Sequence, residues 1–363
     1  MKILALRVLA WDITARLPQR IDFIKDRISR KVEYSEIYIA PIHALGYYFG
    51  YIISFILTIP RLLSRKYDIL LIENAYLVIF GIIARLSGRK VITEYVDYYP
   101  AMLQRIYRTR KLRFFVAVML CRMFSKLTNR VIVETQLSKY MVTSLGIHPS
   151  KVRVISQSPD ISIIKRYNRQ EIRKKYGIKK DDFVIGYLGK FTDHYGLEII
   201  PTATAIARKQ IKRNLILFMV GEGEFLSKIK EQINCLALEN VIFTGRIPFT
   251  EVSKYYSTFD ILLYTPNTAS GIKLAEALVI GVPVIIGAGY ATEFIKDGFN
   301  GFVAETRTAE AYAKKIVEFE KWNKKDIKEL IKKIRKYAHK RFVLAYKSYF
   351  LLFNEVFNLS PYS

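Results

Sequence analysis

Residues Thr265–Glu293 read TPNTASGIKLAEALVIGVPVIIGAGYATE, an alternation of breakers and apolar runs that sets the fold of everything around it. Pro266, Gly271, Gly281, Pro283 and Gly287 punctuate the stretch. The spacing predicts a loop, a helix from Ile272 to Val279, a tight turn and a buried strand from Val282 to Ile286. One acid, Glu276, interrupts the helix on the turn where it would face a ligand. The result is an α/β unit whose loops can hold something.

Working outward, the second half repeats this logic. Phe183 to Leu188, Leu215 to Val220, Asn240 to Phe243 and Ile261 to Tyr264 read as further strands, with helices near Gly196 to Lys209, Phe225 to Leu236 and Thr250 to Ser257. In the first half, strands are expected at Ile3 to Leu9, Glu36 to Ala40, Ile69 to Ile72, Lys90 to Glu94, Arg130 to Glu134 and Lys151 to Ser156. Helical patterns fall between them, near Pro18 to Arg30, Gly46 to Ser64, Tyr76 to Leu86, Leu112 to Leu127 and Gln136 to Leu145. Strands separated by helices imply parallel sheets covered on both faces. The division expected is 1–165, 166–340 and a helical tail, 341–363, that returns to the first domain.

A chain of 363 residues accommodates two such domains. Its 58 Lys and Arg against 32 Asp and Glu give a formal charge of +26, which favours anionic partners such as acidic lipid headgroups or phosphorylated small molecules. Two cysteines without metal-ligand spacing suggest neither a disulfide scaffold nor a zinc site. The N-terminal apolar run lacks a small-residue cleavage site and reads as a first strand.

Two segments bear on membranes. From Ile42 to Pro60 there is no charged residue, yet the run contains His43, two glycines and several tyrosines and sits between strands of one sheet, so a surface or partly embedded helix is expected instead of a span. Tyr98 to Val133 holds eight basic residues and no acid, with Leu112, Phe115, Met119 and Met123 among its helically spaced apolar positions. It reads either as an ordinary core face or as a helix lying in an anionic membrane interface. No zinc-finger spacing or RNP-like strand supports nucleic acid as a partner.

Gly189-Lys190 and Gly221-Glu222-Gly223 each follow a predicted strand. Such loops expose backbone N–H groups, the physical basis for holding a diphosphate, and Lys190 adds a point charge. Neither carries a full dinucleotide or P-loop pattern. Gly271 permits close approach, Lys273 supplies a second cation, and Glu276 can accept both hydroxyls of a ribose.

The region 183–303 resembles the donor-binding domain of glycosyltransferases of the GT-B fold, most closely the retaining family 4, through Gly271, Lys273, Glu276, Ala277, Gly281, Pro283 and Val284, the VGEGEF run at Val220 and the FTGRIP run at Phe243. The resemblance implies an α/β architecture of two Rossmann-like domains facing a central cleft. It also implies transfer of a sugar from a nucleotide diphosphate-sugar, UDP- or GDP-linked, without a metal. Donor contacts would come from Gly189, Lys190, Gly221, Glu222, Gly223, Gly271, Ile272, Lys273, Leu274 and Glu276. Lys190 and Glu276, with Asp97 orienting the acceptor hydroxyl, would carry the chemistry; Glu94, His43 and His194 compete with Asp97 for that role.

The chain departs from the family pattern at Thr268, where many relatives have a sugar-contacting acid, and at Tyr195, where a lysine is frequent. The basic apolar segments point to a lipid-linked or glycolipid acceptor and a peripheral place on the cytoplasmic face of the membrane. A soluble enzyme making polysaccharide or small glycosides, and a nonenzymatic relative, remain the alternatives.

Overall fold

The structure is a computed structural model of the 363-residue chain and describes residues 2–8, 33–39, 47–64, 66–73, 78–95, 115, 118, 119, 122, 126–144, 146–156, 158–159, 163–266, 271–289 and 293–357. The chain divides into two units, Met1–Ser156 with Ala345–Ser363, and Gln157–Leu344.

The first unit is built on six parallel strands: β1 Lys2–Val8, β2 Glu33–Ile39, β3 Ile69–Glu73, β4 Lys90–Glu94, β5 Arg130–Val133 and β6 Val152–Val154. They lie in the order β2-β1-β3-β4-β5-β6. In β3 the four consecutive residues Ile69 to Ile72 are wholly buried, as a strand covered on both faces requires. The last helix, Ala345–Phe357, belongs to this unit: Ala345, Tyr349, Leu352, Phe353 and Val356, spaced along one face, pack with Ile69, Leu71, Ile92 and Ile132. Its polar anchors are the Tyr349 hydroxyl, which donates to Glu94 Oε1 at 2.6 Å, and Glu355, which meets Arg130 and Arg153 at 2.7 Å each.

The second unit carries β7 Phe183–Leu188, β8 Leu215–Val220, β9 Val241–Phe243, β10 Ile261–Tyr264, β11 Val284–Gly287 and β12 Phe302–Ala304, in the order β12-β11-β10-β7-β8-β9. All five pairings are parallel. Sequence periodicity misses β12, because three residues bounded by Gly301 and Glu305 are too short to establish a pattern. Gly186 in the central strand makes room for Phe259, whose ring atoms would lie 2.1 Å from any Cβ there. That ring in turn meets Phe218 and Tyr256 edge-on.

The chain runs from β7 outward to β8 and β9, then returns to the other side of β7 as β10. Parallel strands place all their carboxyl ends on one edge, and the reversal of direction between β7 and β10 is where open α/β sheets form a ligand crevice. No helix among the described residues is long and apolar enough to cross a membrane; the 18-residue helix Tyr47–Ser64 contains Pro60 and ends in Arg61 and Ser64.

Candidate functional site

At the carboxyl edge of the second sheet the loops after β7 and β8 are tied to each other by their backbones. Gly189 N donates to Val220 O at 3.0 Å, Phe191 N to Glu222 O at 2.8 Å, and Gly221 N to Gly245 O at 3.1 Å. A Cβ on Gly221 would lie 1.9 Å from Gly189 O, and one on Gly223 would lie 2.2 Å from Phe191 O. These glycines are therefore required by the neighbouring loop itself, a tighter constraint than the approach of a ligand. The amides of Gly189, Phe191 and Gly221 are already engaged, whereas those of Lys190, Glu222 and Gly223 have no partner among the described residues. The Lys190 side chain is exposed, and its carbonyl accepts a hydrogen bond from the buried Tyr187 hydroxyl at 2.9 Å.

The helix Ile272–Ile280 starts at Gly271 and ends at Gly281, which adopts a left-handed conformation at φ +86° and closes the helix C-terminus. Its apolar run buries Leu274, Ala275, Ala277 and Leu278 in the core of the second unit. Glu276 is carried inward with them, only 4% exposed. The Tyr256 hydroxyl lies 3.4 Å from Glu276 Oε2 and 3.2 Å from the Lys273 carbonyl, and the other carboxylate oxygen has no partner among the described residues.

Burial raises the Glu276 pKa from 4.5 to about 7, opposed by the Lys273 charge and the Tyr256 hydrogen bond. Lys273, one turn earlier on the same face, is half-buried, and loss of solvation lowers its pKa while Glu276 works in the opposite direction. The pair is thus a desolvated acid and base whose charges depend on one another. Burial likewise raises the Tyr256 pKa far above its usual value, so the hydroxyl stays protonated and donates.

Two further groups shape this edge. Arg307 donates through its guanidinium to the carbonyls of Thr265 and Pro266, fixing the chain as it leaves β10. Thr265 Oγ1, at the same point, is buried without a hydrogen-bond partner among the described residues. Beside it the Tyr312 hydroxyl donates to Tyr264 O at 2.9 Å.

The structure thus gathers Gly189, Lys190, Gly221, Glu222 and Gly223 on two interlocked loops, and Gly271, Ile272, Lys273, Leu274 and Glu276 on the helix after β10. Of these, Leu274 is 1% exposed in the core, so only its backbone faces the loop side. Asp97, Thr268 and His43 lie outside the described residues, as does the His194 side chain. Tyr256 and Arg307 were not singled out by pattern as parts of the site. Tyr256 falls within the expected helix Thr250 to Ser257 without a signal of its own, and an arginine some forty residues downstream of β10 carries no local signal. Among the described residues no group of three His, Cys, Asp or Glu side chains converges on a metal position.

Residues 168–341 match the family model of glycosyl transferases group 1. An uncharacterized glycosyltransferase of Methanocaldococcus jannaschii is 22% identical over 213 residues, 57% of this chain and 53% of its own length. The alpha-monoglucosyldiacylglycerol synthase of Streptococcus pneumoniae is 30% identical over 141 residues, 38% of this chain and 32% of its own. The chain therefore spans about half or less of these two curated relatives. Among solved structures, the Anabaena protein HepE in complex with UDP-glucose superposes with a TM-score of 0.76 at 18% identity, covering 97% of this chain and 99% of that one.

Proposed function

We propose, from the premise that this GT-B-fold chain is related to the group 1 glycosyl transferases through residues 168–341, that it transfers a sugar from a nucleotide diphosphate-sugar to a lipid-linked acceptor with retention of configuration. The observation that carries the reading is Glu276: a buried carboxyl held by Tyr256 through one oxygen, with the other oxygen unpartnered, beside a half-buried lysine.

A carboxylate in that state accepts hydrogen bonds from two ribose hydroxyls, and each bond to the charged form favours ionisation. Lys273 and Lys190 then stand to neutralise the diphosphate. Negative charge grows on that group as the sugar leaves, so fixed cations there stabilise the transition state more than the ground state. Asp97 is proposed to orient the acceptor hydroxyl. The UDP-glucose complex of HepE supports a uridine nucleotide as the first to test.

The lipid acceptor rests on the first unit. Ile56, Leu57 and Leu63 are exposed on the helix Tyr47–Ser64, and Phe115, Met119 and Leu127 are exposed on the basic segment, beside the exposed Arg122 and Lys126. Exposed apolar side chains interleaved with arginine and lysine suit a peripheral contact with anionic lipid. The glycolipid-synthase name of the Streptococcus relative points the same way.

The test is a transfer assay with UDP- and GDP-sugars and membrane lipid extract, in wild type and Glu276→Ala. Label should move into the lipid phase only with wild type, and donor binding should raise its melting temperature. No stabilisation by any nucleotide-sugar would sink the donor-site reading. Transfer only to water-soluble acceptors, with no sedimentation on anionic vesicles at low salt, would sink the lipid part alone.

A further inference from the structure

At the opposite edge of the second sheet, where β7, β10 and β11 begin, the surface folds into an indentation that is partly open to solvent. Its floor is aromatic, from Phe183, Phe259 and Phe319, and its rim carries Arg166, Arg169 and Arg213. Behind the rim Arg173 is 1% exposed. With Arg335 beside Arg166 and Asp182 beside Arg173, five guanidinium groups thus meet three carboxylates, Asp182, Asp260 and Glu320.

Those carboxylates are already engaged. Asp260 accepts from Arg169 at 2.7 Å, from Arg173 at 2.8 Å and from the Val184 amide at 2.8 Å. Glu320 lies 3.9 Å from Arg213 Nε. Arg166 has no carboxylate partner; its Nη1 reaches only the carbonyls of Ile280 and Gly281, at 3.4 and 3.2 Å. Arg169 Nε is buried without any hydrogen-bond partner among the described residues. Although Arg166 is exposed at the rim, partial burial of its head group, followed by the like charges of Arg169 and Arg335, lowers its pKa. The rim therefore holds surplus cations and an unused donor over an apolar floor.

We propose that this indentation is a second ligand site, for a small phosphate-type oxyanion, on the sheet edge opposite the one that carries Glu276. Guanidinium groups match tetrahedral and planar oxyanions through paired N–H donors, and an anion there relieves the mutual repulsion of the rim. The chemistry is shared by free phosphate and by the phosphate of a small monoester, whose carbon skeleton would lie against the phenylalanines.

Calorimetric titration of the full chain with inorganic phosphate and with glycerol 3-phosphate, at fixed ionic strength, tests this in wild type, Arg166→Gln, Arg213→Gln and Lys190→Gln, each checked for folding by circular dichroism. One saturable equivalent is expected, weakened about tenfold or more in each arginine variant and unchanged in Lys190→Gln. Tighter binding of the ester assigns an organic phosphate, and equal binding assigns the free ion. Absence of saturable binding, or affinity indifferent to both arginine substitutions, overturns the proposal. Loss on Lys190→Gln overturns it too, by moving the ion to the other edge. Should Arg166→Gln not fold, the rim variant Arg213→Gln carries the test.

Discussion

Replacing Glu276 by Gln separates what this residue does for stability from what it does for binding. In the fold its carboxyl titrates near 7 because burial penalises the charge, against 4.5 for the free side chain. A raised carboxyl pKa means that the folded state favours the protonated form. Below about 4.5 the residue is therefore neutral in both states and costs nothing; the cost grows as pH rises and is complete above about 7. At about 1.4 kcal/mol per pH unit, the gap amounts to roughly 3 kcal/mol of lost stability at pH 8. Glutamine keeps the shape and the Tyr256 contact without the charge. For a unit of this size the substitution should raise the melting temperature by about 6 to 12 °C at pH 8.5 and by little at pH 4.5. The same change should weaken nucleotide-sugar binding at pH 8 by about tenfold or more, since hydrogen bonds to a charged acceptor are worth about 1.5–3 kcal/mol. Thermal melts at the two pH values, paired with donor titrations, read both effects. Equal melting of the two proteins at pH 8.5, or a stabilisation that does not depend on pH, would refute the argument that a buried charge is being held there at the expense of stability.

Other outcomes follow from the same geometry. Tyr256→Phe removes a hydrogen bond that lowers the Glu276 pKa, so the pH dependence of donor affinity should move upward; a profile unchanged from wild type contradicts the pairing. Gly221→Ala places a methyl 1.9 Å from Gly189 O and should cost roughly 3 kcal/mol or more, whereas Gly245→Ala, with open space and φ +70°, should cost about 1–2, both read from urea midpoints. Arg173→Ala removes a buried guanidinium from Asp260 and from the carbonyls of Thr258 and Asp182, and leaves Asp260 with only Arg169 and the Val184 amide, so a loss of about 2–3 kcal/mol is expected by denaturant unfolding.

Most of the second unit is legible in its sequence because its strands are long apolar runs closed by glycine or a charge. Phe183–Leu188, Leu215–Val220 and Ile261–Tyr264 fall where the periodicity places them. The shorter β12 does not, since pairing with β11 and not its own composition makes it a strand. For the site, Glu276 is legible as the lone acid in an apolar helix, but its depth is not: the pattern that marks it as unusual also carries it into the core. The glycines at 221 and 223 are visible as loop residues, yet their reason lies in another loop thirty residues away. Arg307 and the Arg169, Arg173 and Asp260 cluster are contacts between segments distant in sequence, and periodicity carries no information about such pairs.

The interlocked loops after β7 and β8 divide labour between backbone and side chains. Their main chain continues the sheet's hydrogen bonding past the last strand residues, so its shape is set before any ligand arrives, and little ordering remains to be done on binding. The Lys190 side chain, by contrast, projects from that frame, while the exposed Glu222 carboxylate lies 3.8 Å from Arg246 on the next loop. On the proposed donor reading, a descendant of this chain would change its preference among anionic donors by substitution at Lys190 while leaving the glycine frame untouched, so that selectivity can drift there where architecture cannot.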